Sequence, residues 1–219
     1  MEPVTMTIAG VAIVLTASLA YAVKKYRETQ EKNKEIEALR RSLNAYAETY
    51  ALENADEELI KRCQSKIKEL FNGGIEKEFN KYKTVEEKKA FARKVALELA
   101  KCMNVQNVQV DNIEIADLGP YTRGAAVPDR NPVTIYLNEV LLVADPEQLV
   151  KTMCHELKHC VQYQSITNNV WGYSPQRVAQ YLYSWERYVS CDSKECYEAY
   201  LMQIIEIDAN KYVDRIFNV

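Results

Sequence analysis

The chain has no CxxC pair and no dense cysteine framework, which sets it apart from small secreted domains that use disulfides in place of a core. It lacks a charge surplus of either sign. Its 28 basic and 31 acidic residues give a net charge of −3 and are scattered, so no basic face is offered to nucleic acid. There is no internal repeat and no low-complexity tract, and histidine occurs only twice in 219 residues. What is there, 47% hydrophobic and 27% charged residues, is the composition of a globular protein with room for one ordinary domain and appendages. The six cysteines, at 63, 102, 154, 160, 191 and 196, are expected to be mainly buried or free thiols. Cys191 and Cys196 have two readings: a short disulfide in an oxidising compartment, or two reduced cysteines near a helix start.

The run from Val4 to Val23 carries no charge and is long enough to cross about 30 Å of hydrocarbon as a helix. Threonines and alanines dilute its hydrophobicity, so a buried helix and a signal peptide are the competing readings. The signal peptide lacks a basic start, although Ala20-Tyr21-Ala22 looks like a cleavage site. An uncleaved anchor fits better. Lys24, Lys25 and Arg27 follow at once, and this excess of positive charge predicts that the remainder of the chain stays on the cytoplasmic side.

From Tyr26 to about Leu52, Ile36, Leu39, Leu43, Tyr46 and Tyr50 repeat at steps of three and four. This predicts a helical stalk, either self-associating as a coiled coil or packed on its own domain. Helices are expected from about Asp56 to Phe71 and from about Thr84 to Met103, separated by Asn72-Gly73-Gly74. Val108, Val110, Ile113 and Ile115 alternate as in a strand, and Val133 to Leu137 reads as another. Asp145-Pro146-Glu147-Gln148 then supplies a cap, a proline at the first helical position and a capping-box glutamine, so a helix should start at Pro146. Two more helices are expected over about Pro175 to Val189 and Glu195 to Ile216.

The helix from Pro146 carries His155-Glu156-Leu157-Lys158-His159. Histidines four apart project from one helical face and can share a metal ion. Zinc suits the pattern, with Glu156 placed to act as general base toward water. A catalytic zinc usually takes three protein ligands, and Glu206 in Glu206-Ile207-Asp208-Ala209-Asn210 is the candidate for the third, with Asp208 as its rival. Cys154 and Cys160 flank the motif and read as core thiols.

With these motifs the sequence resembles the gluzincin branch of the zincin metallopeptidases from about Arg123 to Val213. It is also similar to small bacterial and phage-type zinc peptidases with HELxHxxQ and ExDA signatures. The resemblance implies one Zn2+ held by His155, His159 and Glu206, and Glu156 as the catalytic base. It also implies that Asn210 hydrogen-bonds a histidine ligand from behind and that the strand Val133 to Leu137 is an edge that pairs with extended substrate. Such sites often add a histidine or tyrosine to stabilise the oxyanion. No third histidine exists here, so Tyr163, Tyr173, Tyr181, Tyr183, Tyr188, Tyr197 or Tyr200 would have to serve, and the sequence does not choose among them.

The expected architecture is α+β and predominantly helical. An N-terminal transmembrane anchor (1–25) and a helical stalk (26–53) precede a helical scaffold (54–104) and a compact zincin-like domain (105–219). Two functions follow from this reading. One is a membrane-anchored zinc metallopeptidase acting on protein or peptide substrates, without nucleic-acid partners, and with a stalk that offers homo-oligomerisation. The other is a membrane-tethered structural or assembly protein that keeps the fold for binding. Glu156 favours the enzyme, because a retired site has no need of the base.

Overall fold

A computed structural model of the chain describes residues 50–189 and 200–218, together with 25, 26, 28–34, 37, 38, 41 and 45. The apolar stretch 4–23 and the pair Cys191 and Cys196 lie outside the described residues, as does Tyr197. The chain divides into two units, Met1–Thr49 and Tyr50–Val219. In the first, the described residues are helical and exposed, and Thr29 Oγ1 donates to the Lys25 carbonyl one turn back at 2.9 Å. Among the described residues no helix is long and apolar enough to cross a membrane.

The second unit is α+β and mainly helical. Helix α1 spans Asn54–Leu70, the short α2 Ile75–Phe79 and α3 Val85–Cys102. Thr84 and Glu87 close a capping box at the start of α3: the Thr84 hydroxyl accepts the Glu87 N–H at 3.2 Å and the Glu87 carboxylate accepts the Thr84 N–H at 3.0 Å. The turn before α2 requires a glycine, because Gly74 has φ +98°. Strands β1 (Val108–Ala116), β2 (Gly124–Val127) and β3 (Val133–Asn138) follow. Four helices complete the unit: α4 (Leu141–Ala144), α5 (Pro146–Thr167), α6 (Pro175–Glu186) and α7 (Ile204–Phe217).

The sheet order is β1-β3-β2, with β1 parallel and β2 antiparallel to β3. This corrects the expectation that the strand from Val133 is the free edge. β3 is central and buried on both faces through Val133, Thr134, Ile135, Leu137 and Asn138, and a strand bonded on both sides offers no edge to a peptide. The open edge beside the histidine-bearing helix is β2, where Gly124, Ala125 and Ala126 have weak strand preference.

Helix α5 is the axis of the unit. It lies on β2 and β3, while α3, α6 and α7 pack around it. Thirteen of its 22 residues are buried. Leu149, Met153, Leu157 and Val161 are fully buried, each side chain contributing about 1.5–3 kcal/mol by leaving water. Its start is as the sequence predicts, with Asp145 Oδ1 accepting the Gln148 N–H at 2.9 Å ahead of Pro146. Cys154 and Cys160 are buried free thiols, as are Cys63 and the half-buried Cys102. Tyr50, which the heptad pattern places in the stalk, is buried in the second unit.

Candidate metal centre

A helix enclosed on all sides must find partners for its polar side chains. On α5 the buried polar residues are Glu156, Lys158, His159 and Gln162, with Thr152 and Ser165 bonded to their own helix. His155 and His159 stand one turn apart, their rings edge to face with centroids 4.6 Å apart and their Nε2 atoms 3.0 Å apart. Glu206, completely buried at the start of α7, places Oε2 3.2 Å from His155 Nε2 and Oε1 3.3 Å from His159 Nε2.

The three donors thus form a triangle with edges of 3.0–3.3 Å. A tetrahedral zinc with bonds near 2.0–2.1 Å separates its ligand atoms by about 3.3 Å, so the triangle has the size this ion requires. Two imidazoles and a carboxylate are also the donor set it prefers. His155, His159 and Glu206 are, among the described residues, the one group of histidine, cysteine and acidic side chains whose geometry could hold a metal ion.

The electrostatics follow the same arrangement. Burial alone would pull the His159 imidazole down, but Glu206 beside it more than offsets this and lifts it to about 9. Burial would likewise raise the Glu206 carboxyl, yet the two histidines hold it far below the ordinary carboxylate range. The two shifts have one cause, the pairing of the Glu206 carboxylate with the imidazole of His159.

Glu156 projects toward the sheet. It is buried, burial pushes its carboxyl up, and the Ala126 N–H of β2 donates to it. A carboxylate raised toward neutrality accepts a proton more readily. The approach of α5 to β2 is close enough to dictate Gly124, where an added Cβ would lie 2.6 Å from Thr152 Cγ2 and 3.1 Å from Glu156 Cγ.

No protein-family profile, curated protein or solved structure matches the chain.

Asp208, the rival ligand, is turned away from the histidines. Residues two apart on a helix point about 200° from each other, so Glu206 and Asp208 serve opposite sides of α7. Asp208 enters a buried ion cluster. Its Oδ2 accepts from Lys158 Nζ at 2.9 Å and the Tyr181 hydroxyl at 2.8 Å, and its Oδ1 from Arg177 Nη1 at 3.1 Å and the Tyr50 hydroxyl at 3.0 Å. Lys158 also donates to Asp56 Oδ1 at 2.5 Å and the Tyr173 hydroxyl at 2.7 Å. Two cations face two carboxylates, so the cluster is neutral, as buried charge must be.

Asn210 departs from the expected role. It is exposed, one turn beyond Glu206, on the solvent side of α7. The residue behind a histidine ligand is Gln162, whose Oε1 lies 2.8 Å from His159 Nδ1. Of the candidate tyrosines, Tyr173 and Tyr181 belong to the ion cluster, while Tyr163 packs on Trp185 and Tyr183 on Arg187. Tyr188, 40% exposed, brings its hydroxyl to 3.4 Å from Glu206 Oε1, and the Tyr200 hydroxyl also pairs with Glu206. Burial, reinforced by the Glu206 charge, raises the Tyr188 phenol and keeps it a donor.

Proposed function

We propose that this chain is a zinc-dependent metallopeptidase of the gluzincin type, tethered to a membrane by residues 4–23 with its catalytic unit on the cytoplasmic side. The observation that carries the reading is the convergence of His155, His159 and Glu206 to within 3.3 Å of one another beside a buried Glu156. His155 Nε2, His159 Nε2 and a Glu206 carboxylate oxygen would hold the ion. Zinc bound there would supply Lewis acidity, to polarise a carbonyl and make water nucleophilic at neutral pH.

The chain's own residues do the rest. A Glu156 oxygen accepts a proton from water as its oxygen bonds to the scissile carbonyl carbon. The same oxygen delivers the proton to the amide nitrogen as the C–N bond breaks, leaving a carboxylate and an amine. Tyr188, at the exposed rim with its hydroxyl 3.4 Å from Glu206 Oε1, would turn to donate to the oxygen that gains charge. The outer edge of β2, adjoining Glu156, supports binding of an extended peptide by strand addition. The substrate class is accordingly protein or peptide that reaches the membrane surface.

The test is metal analysis and peptide-library cleavage with the full chain and its Glu156→Gln and His155→Ala variants. Zinc in the parent and in Glu156→Gln, with cleavage by the parent only, is the expected result. Zinc in both with cleavage by neither transfers the site to a tethered binding protein. Unchanged metal content in His155→Ala removes the metal reading altogether.

A further inference from the structure

Gln162 joins two features otherwise separate, the His155–His159–Glu206 triangle and the ion cluster around Asp208. It lies three residues after His159, on α5, and is completely buried. Its Nε2 donates to the Ile205 carbonyl at 2.9 Å and to Asp208 Oδ2 at 2.8 Å. Both partners are acceptors only: one is a backbone carbonyl, and the Asp208 carboxylate is ion-paired with Lys158 Nζ at 2.9 Å and Arg177 Nη1 at 3.1 Å. The amide therefore has one workable orientation. Turned over, it would aim its oxygen at a carbonyl and a carboxylate and leave buried groups unsatisfied, at about 1–3 kcal/mol each.

With Nε2 committed to α7, Oε1 is the atom that faces His159 Nδ1 at 2.8 Å. An oxygen there calls for a hydrogen on Nδ1, which leaves the Nε2 lone pair directed at His155 and Glu206. We propose that Gln162 is a positioning residue that fixes His159 as its Nδ1–H tautomer, and that the Asp208 cluster acts on the metal centre by locking the Gln162 amide. Its functional meaning rests on the zinc reading above; its geometry does not.

A glutamine placed this way differs from a carboxylate behind a histidine ligand. Both ends of the amide are used, the oxygen toward α5's own histidine and the nitrogen toward α7. Glutamate would keep the acceptor for His159 but set a second carboxylate 2.8 Å from Asp208. Methionine would fill the space and offer neither.

The test uses the full chain and its Gln162→Met and Gln162→Glu variants, read in two ways. The first is the two-bond nitrogen–proton spectrum of the His159 ring in chelator-treated protein, at a pH above the ring's titration; His155→Ala assigns the signals, since the chain has two histidines. The parent is expected to show Nδ1–H, and Gln162→Met to lose that preference. An Nε2–H ring in the parent, or an unchanged spectrum in Gln162→Met, overturns the proposal whether or not zinc binds.

The second readout is zinc affinity by competition with a chromogenic chelator. Gln162→Met is expected to lose about 10–100-fold with its circular dichroism retained. Gln162→Glu is expected to lose at least as much and also to melt lower when metal-free. Parent-like affinity in Gln162→Glu would show that the acceptor alone suffices and would refute the role given to Asp208. Absence of zinc from the parent would count against the metal reading only, and the ring spectrum would still decide the tautomer.

Discussion

Replacing Gly124 with alanine should destabilise the protein, although the usual effect of that change at an unstrained position is the reverse. Gly124 does not have a positive φ, so loss of chain entropy in the unfolded state would by itself stabilise by about 0.4–1 kcal/mol. Packing decides otherwise. The new methyl would lie 2.6 Å from Thr152 Cγ2, 3.0 Å from the Tyr136 carbonyl oxygen and 3.1 Å from Glu156 Cγ, where ordinary contact begins near 3.4 Å. Tyr136 sits in the ladder between β2 and β3 and has little freedom to yield. Relief must come from Thr152, Glu156 or the spacing of β2 and α5, and overpacking of this kind costs about 1–3 kcal/mol.

A mid-range cost of about 2 kcal/mol, less the entropic gain, leaves about 1–1.6 kcal/mol, so the melting temperature falls by about 2–6 °C, at roughly 2–4 °C per kcal/mol for a unit of this size. The assay is a thermal melt of Gly124→Ala, Thr152→Ser and the double variant. Serine removes Cγ2 and keeps the hydroxyl that donates to the Gln148 carbonyl at 2.8 Å, so it relieves the shortest contact alone. The double variant should recover about 1 kcal/mol relative to additivity. Peptide cleavage should fall further than the melt suggests, by about 100-fold, because displacement of Glu156 by even about 1 Å is enough for that. A variant that melts at or above the parent and cleaves as well as it does would refute the close seating of β2 on α5.

Lys158→Met leaves Asp56 and Asp208 with one cation between them and should cost about 3–5 kcal/mol by urea denaturation, although lysine next to a metal motif reads as a surface residue. In chelator-treated protein the His159 ring, at about 9 when folded against 6.5 ordinarily, stabilises fully below pH 6.5; melts should show that contribution disappearing as pH rises toward 9. Zinc affinity should climb by up to about tenfold per pH unit across the same window, because the ion displaces that proton. Tyr188→Phe should lower kcat by about 100-fold with zinc content unchanged; unaltered kcat would remove Tyr188 from the reaction.

Local chemistry was the legible part of the site. His155, Glu156 and His159 are placed by helical spacing, and the helix is placed by Asp145 and Pro146, both read within a few residues. The choice between Glu206 and Asp208 was not local. Both are buried, and each is satisfied by groups far away in sequence: His155 at a separation of 51 for one, Tyr50 at 158 for the other. A pattern such as ExDA states that two acids alternate sides of a helix without stating which side meets the histidines. The cluster around Lys158 was invisible for the same reason, since Asp56 lies 102 residues away and looks like an ordinary first-turn acid.

The strand and the histidine partner were misread through a different limit, the difference between a residue's face and what covers that face. Val133 to Leu137 has the branched residues of a strand, and that is what it forms, but the strand is central because it is bonded on both sides, which its own residues do not reveal, whereas a peptide-binding edge needs one free side. β2, which has the free side, is made of Gly124, Ala125, Ala126 and Val127; α5 demands the glycine, and the two alanines weaken the strand signal further. Asn210 shares a stripe with Glu206 by spacing, yet it lies on the exposed side of α7 while Ala209 and Tyr212 beside it are buried, and a side chain in water cannot orient a buried ring. Gln162 can, because α5 is enclosed throughout the turn that carries it. The HxxQ spacing was therefore the informative signal: glutamine three residues after a ligand on a buried helix must find both a donor and an acceptor, and His159 and Asp208 are those partners.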